Sequence, residues 1–230
     1  MAPYAPAAGP MSSRQEILTR IAGALRDVPE DEGAEAAPAD RRSPVVRHPP
    51  DPVALFAERA AEYRAAVTRT TESEASAAIG AALAARSPAR LVVPHGFPEA
   101  WLPARRTWQR LEDDPPLRPA QLDAADGALT TCALAVAETG TLVLDAGPGQ
   151  GRRALTLLPD FHLCVLRSAQ IAPDVPTALR GLDPCCPLTF VSGPSATSDI
   201  ELERVEGVHG PRVLHIVIVE PDSRGADTHP

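Results

Sequence analysis

Residues 213–219, Val-Leu-His-Ile-Val-Ile-Val, are apolar at every position except His215. A strand with one wet face alternates apolar and polar residues. A run that is apolar on both faces has to be covered twice. Residues 163–166 and 91–93 are shorter runs of the same kind. Strands like these belong to a sheet with helices on two sides. The expected fold class is therefore α/β, with a mostly parallel, doubly wound sheet. Two further apolar runs, 133–137 and 141–145, flank Glu138-Thr139-Gly140. They predict an inserted antiparallel hairpin with Thr139-Gly140 at its turn.

Helical spacing places Ile17, Leu18, Ile21 and Leu25 on one face of a helix over 13–26, stopped by Pro29. Ser13 and Glu16 have capping-box spacing, and Met11 just before them is a candidate start. The acidic, proline-rich stretch 29–52 reads as a linker. The α/β domain is expected over 53–221, with a short tail at 222–230. Within it, 53–67 reads as a helix with Val53, Phe56, Ala60, Tyr63 and Val67 buried, and 72–86 as a second helix. A short helix is expected around 101–111, strands at 155–158 and 188–191, a helix at 176–182, and a helix start at 198–201.

The formal net charge is −8 and aromatics make up 3%. Both argue against a nucleic-acid or anionic-membrane surface and against base-stacking platforms. All 22 basic residues are arginine, which excludes Schiff-base and P-loop lysines. Cys132, Cys164, Cys185 and Cys186 match no zinc or cluster spacing, so no metal is expected in this chain. Cys132 and Cys164 sit in apolar runs and are expected to pack as small hydrophobes. No run approaches the length of a spanning helix, and residues 1–10 do not read as a secretory signal. The expected location is the cytoplasm.

The stretch Gly147-Pro148-Gly149-Gln150-Gly151-Arg152-Arg153 is the leading site candidate. Glycines let backbone N–H groups converge on an anion, and paired guanidiniums suit one. The alternative is a turn whose glycines only supply positive φ. Glu138 is a candidate base or nucleophile, or else a turn acid bonding the amides after it. Ser192, Gly193, Ser195, Thr197 and Asp199 follow a strand, where a doubly wound sheet binds ligands, and can equally cap their own backbone. His209, between glycines, and His95 in Pro94-His95-Gly96 are candidate proton relays.

These segments together resemble the lactate-utilization (LUD) domain family. The motifs are Glu138-Thr139-Gly140-Thr141, the 147–153 loop, Ser192-Gly193-Pro194-Ser195 with Asp199-Ile200-Glu201, and Gly207-Val208-His209-Gly210-Pro211. The opening helix is similar to that family's N-terminus. The resemblance implies a fold similar to the ribose-5-phosphate isomerase and CoA-transferase group. It also implies a role in oxidising L-lactate to pyruvate as a non-cluster subunit. No cofactor is expected in this chain, and iron–sulfur clusters are expected in its partner proteins. Two other readings stand beside it. One is a free-standing transferase or isomerase acting on a phosphorylated or acyl-CoA substrate, with Glu138 at the centre. The other is an assembly module working through its N-terminal helix.

Overall fold

The structure, a computed structural model, describes residues 12–26, 51–197, 205–206 and 210–222; at 196, 197, 205 and 206 it gives the backbone alone. The expected helix start at 198–201 lies outside the described residues. The chain divides into two units between Val45 and Val46.

In the first unit, α1 (Ser13–Ala24) is capped by Ser12, whose hydroxyl accepts from the Gln15 amide, while Gln15 reaches back to the Ser12 amide. The capping box is thus one residue earlier than the expected Ser13/Glu16 pair. Glu16 instead pairs with Arg20 at 2.6 Å, one turn along. Ile17, Leu18, Ile21 and Leu25 are all exposed.

The second unit opens with α2 (Pro52–Glu62). Asp51 caps it through the Val53 and Ala54 amides, and Pro52 sits where no N–H is required. Helix α2 ends well before residue 67. Arg64 takes a φ of 68°, and the β-branched run that follows forms β1 (Ala66–Thr71). Val67 is therefore a strand residue, in register with Ile216.

Next come α3 (Ala75–Ala84), β2 (Arg90–Val92), β3 (Gln109–Leu111), α4 (Pro119–Asp123) and β4 (Gly127–Thr131). The expected helix around 101–111 is instead a 3-10 turn at Glu99–Trp101 followed by β3. The hairpin is β5 (Leu134–Val136) and β6 (Thr141–Leu144), with the predicted turn between them. Residues 155–158 do not form a strand. Arg153–Thr156 is a 3-10 turn that drops Leu155 into a small cluster with Val92, Leu122 and Ala125. The remaining elements are β7 (Phe161–Arg167), β8 (Ile171–Ala172), α5 (Val175–Arg180), β9 (Thr189–Val191), the small ladder β10 (Ala196–Thr197) with β11 (Val205–Glu206), and β12 (Val213–Glu220).

The main sheet has the order β1-β12-β7-β4-β2-β3, and every neighbouring pair is parallel. This is the α/β architecture expected from the doubly apolar strands. Alternation along β7 sends Phe161, Leu163 and Val165 to one face and Cys164 and Leu166 to the other. The first face packs against Ile79 and Leu83 of α3 and against Phe97 and Trp101. The second face differs from expectation. Phe56 and Ala60 of α2 cover part of it, and a second sheet, ordered β8-β5-β6-β9, covers the rest. The hairpin is thus the centre of its own layer, with Ala178 of α5 packed on its outer side.

Candidate functional site

The chain leaves β2 toward the edge strand β3, and leaves β4 toward β7 on the other side. Between β2 and β4 the winding reverses, and open α/β sheets bind ligands at the carboxyl ends of such strands. The 147–151 loop closes this point. The Gly149 amide donates to His95 O, just past β2, at 2.8 Å. The Gly149 carbonyl accepts from the Thr131 amide, at the end of β4, also at 2.8 Å.

This docking explains the glycines. A Cβ on Gly149, whose φ is +76°, would lie 2.7 Å from Thr131 Oγ1 and 3.1 Å from Gly96 O. A Cβ on Gly96 would lie 2.9 Å from the Gly149 amide. Two backbones approach where no side chain fits. The loop's amides are mostly used internally. Gly147 donates to Asp145 Oδ1 at 3.0 Å, and the Gln150 amide donates to Gly147 O at 3.1 Å. Buried Gln150 braces the loop, accepting from the Asp145 amide and donating to its carboxylate. Among the described residues, Gly151 carries the loop's one uncommitted amide.

Beside the loop lies a cleft of about 610 Å³. Its polar lining is His95, Arg110, Arg152 and the acids Glu112, Asp113 and Asp114. Arg152 makes a bidentate pair with Asp113, at 2.7 and 3.0 Å, and also donates to Leu117 O. The Asp113 hydrogen bonds hold its guanidinium charged. Nε and Nη2 are thus committed, while Nη1 makes no hydrogen bond among the described residues. Arg153 does not line the cleft; it turns back to the carbonyl and hydroxyl of Thr156. Arg110 gives Nη1 to Glu99, but its Nε lies 3.7 Å from Glu112 without a hydrogen bond. That Nε is the one buried side-chain nitrogen or oxygen lacking a partner among the described residues. Its charge is offset by the Glu112 carboxylate at that distance, and the atom itself is shut off from solvent.

The other motif residues gather elsewhere. Thr139, Thr141 and Ser192 form a hydroxyl chain, with oxygens 2.8 and 2.7 Å apart. They border a groove of about 370 Å³ walled by Tyr63, Val175, Leu179 and Phe190. Gly140 and Gly193 press against the end of α2, at Arg59–Ala60 and Tyr63 respectively. Ser195 is tied by its amide to Pro211 O at 2.8 Å. Thr197 is placed by its backbone in β10, while Asp199 and His209 lie outside the described residues. Glu138 is exposed at the hairpin turn, lines neither cavity, and has its amide bonded to Pro173 O. We expect Glu138→Gln to change stability by less than about 0.5 kcal/mol, as measured by urea unfolding. A larger loss would mean that the carboxylate holds a turn contact.

Sequence reasoning weighed His95 but passed over Arg110 and the acids at 112–114. The available signal was a charged triplet directly after a strand.

A profile of the LUD domain matches residues 112–219. A Deinococcus radiodurans protein named "Lactate utilization protein C" is 48% identical over 168 residues, spanning 71% of this chain and 77% of that protein. The chain belongs to the LUD domain family. A namesake from Geobacillus kaustophilus is 31% identical over 173 residues, covering 66% of this chain and 71% of its own length. A solved structure of a DUF162 family protein from Deinococcus radiodurans superposes with a TM-score of 0.63. It is 41% identical and covers 73% of this chain and 96% of its own. The LUD match takes in the glycine loop, the hydroxyl chain and the acids of the cleft, whereas His95 and Arg110 precede it.

Proposed function

We propose that this chain serves lactate utilization as the non-cluster subunit of an iron–sulfur system that oxidises L-lactate to pyruvate. The observation that carries this reading is its 48% identity, over most of both chains, to a protein named for lactate utilization. The cleft is chemically suited to the substrate. Gly151 and Arg152 line the cleft, and a backbone amide with a guanidinium can hold a carboxylate; His95, also in the lining, can accept a hydroxyl proton. The electrons are assigned to clusters in partner proteins. Among the described residues no helix is long and apolar enough to cross a membrane. The free-standing transferase or isomerase reading needs Glu138 at a reacting centre, and Glu138 lies outside the cleft.

The test is anaerobic purification of the tagged chain from its native cells grown on L-lactate. Two cysteine-rich iron–sulfur proteins should accompany it, and the complex should oxidise L-lactate. In that complex Arg152→Gln should raise KM for L-lactate about 10-fold or more, the scale of one lost charge-assisted hydrogen bond. Recovery of the chain alone, or lactate turnover by the chain alone, would overturn the subunit assignment.

A further inference from the structure

We propose that Asp113 decides the charge of the acid the cleft accepts: it holds Arg152 for one carboxylate and shuts out a second. The proposal rests on the reading of the cleft as a lactate site. Three observations carry it.

The first is how Arg152 is held. Asp113 takes its Nε and Nη2, at 2.7 and 3.0 Å, and the Leu117 carbonyl takes Nη2 again at 2.6 Å. Asp113 is itself fixed, because its Oδ1 accepts from the Leu117 amide at 2.8 Å. Its side chain is 11% exposed, against 40% for Arg152. A guanidinium usually meets a carboxylate as a two-pronged fork. Here that fork is taken by Asp113, and only the Nη1 donors are left for a ligand.

The second is charge. The lining holds two arginines and three acids. Arg110 donates to Glu99 and lies 3.7 Å from Glu112. Arg152 is matched by Asp113. Asp114 makes no ion pair among the described residues. Each guanidinium therefore already has a carboxylate of its own. One incoming negative charge can share Arg152 with Asp113. A second would find no unmatched arginine in the lining and would face acids. Like charges brought together are a general means of rejecting the wrong partner. Asp113 contributes most to this, since it is far less exposed than Glu112, at 69%, and is screened less by salt.

The third is room. At about 610 Å³ the cleft falls in the roughly 300–1,000 Å³ range that encloses drug-sized molecules, and a three-carbon acid leaves most of it unfilled. Size does not exclude longer acids, so discrimination against them falls to charge.

The experiment is a two-dimensional NMR titration of the full chain, following the Gly151 amide and the Arg152 Nε–H. L-lactate is compared with L-malate, which carries a second carboxylate on the methyl carbon. The distal methyl ester of L-malate is the size control, since it is as large as malate but singly charged. L-malate is expected to bind at least about tenfold more weakly than L-lactate, and the ester within about threefold of L-lactate. Asp113→Asn should cut the preference for L-lactate over L-malate to less than about threefold, and Asp113→Glu should keep it. A variant that only disturbed packing would weaken both acids alike and leave the ratio unchanged. Equal binding of L-lactate and L-malate by wild type, an ester that binds as poorly as L-malate, or an unchanged ratio in Asp113→Asn would each overturn the inference and leave the lactate reading standing. Absence of L-lactate binding would instead sink that reading of the cleft, and the inference with it. The wild-type comparison of L-malate with its ester needs no variant, so a folding defect cannot obscure it.

Discussion

Gly140→Ala is expected to destabilise the protein by about 2–5 kcal/mol. Gly140 has φ of +61°, where an L side chain costs about 1–2 kcal/mol. Its added Cβ would lie 2.6 Å from the Ala60 amide nitrogen and 2.7 Å from the Arg59 carbonyl carbon. Both are backbone atoms of α2 and cannot swing aside. Separating the hairpin turn from the helix adds about 1–3 kcal/mol of overpacking. For a domain of this size each kcal/mol lowers Tm by roughly 2–4 °C, so a thermal melt suffices. Gly23 is the control: nothing lies within 4 Å of the point where an added methyl would stand, so Gly23→Ala should not destabilise. A Gly140→Ala melt matching wild type would show that the turn is free to lift off α2.

The second large effect is a loss of stability in acid, and it comes from His162. This side chain, on β7, is buried, with Nε2 2.7 Å from Thr130 Oγ1 of the neighbouring β4. Burial, and secondarily the charge of Arg153, push its pKa from 6.5 to about 4. In the unfolded chain the imidazole takes up a proton near pH 6.5, while the folded chain resists until about pH 4. The unfolded state therefore binds more protons in that window, and stability falls as pH falls through it. The full difference is about 3 kcal/mol. It is intact above pH 6.5 and gone below about pH 4. Urea unfolding of wild type and His162→Gln between pH 7 and 4.5 isolates this contribution. Carboxylates such as Asp222, held low by Ser73, titrate in both proteins. Parallel curves for the two would rule out His162 as the source.

Strands β7 and β12 were legible because a run apolar on both faces admits few other placements. The hairpin was legible from its two runs and the glycine between them. β4 was not, although it lies in the middle of the sheet. It opens on Gly127, which reads as a turn residue but is there because a Cβ would lie 2.8 Å from Phe161 O and its ring. β1 was hidden because Val67 continues the helical spacing of Phe56, Ala60 and Tyr63; only the left-handed Arg64 interrupts it. The glycine loop stood out as unusual for a sound reason, that side chains are excluded there. What excludes them is a tertiary fact: the carbonyl of Gly96 and the hydroxyl of Thr131, not a ligand. The cleft was less visible still, since it joins residues from Pro94 to Arg152 across two sheets.

The place of β12 in the main sheet governs the order in which the protein can be completed. It lies between β1, the first strand among the described residues, and β7. During synthesis β1 has no neighbour in the main sheet until residues 213–220 have emerged. A chain that stops after β7 but before β12 therefore presents two open strand edges, β1 and β7, both primed to pair with a foreign strand. The main sheet is completed by insertion of β12 between β1 and β7, so this unit cannot finish folding before β12 has been made. Chaperone demand and degradation of incomplete chains should be set by whether β12 has been translated rather than by the length already made.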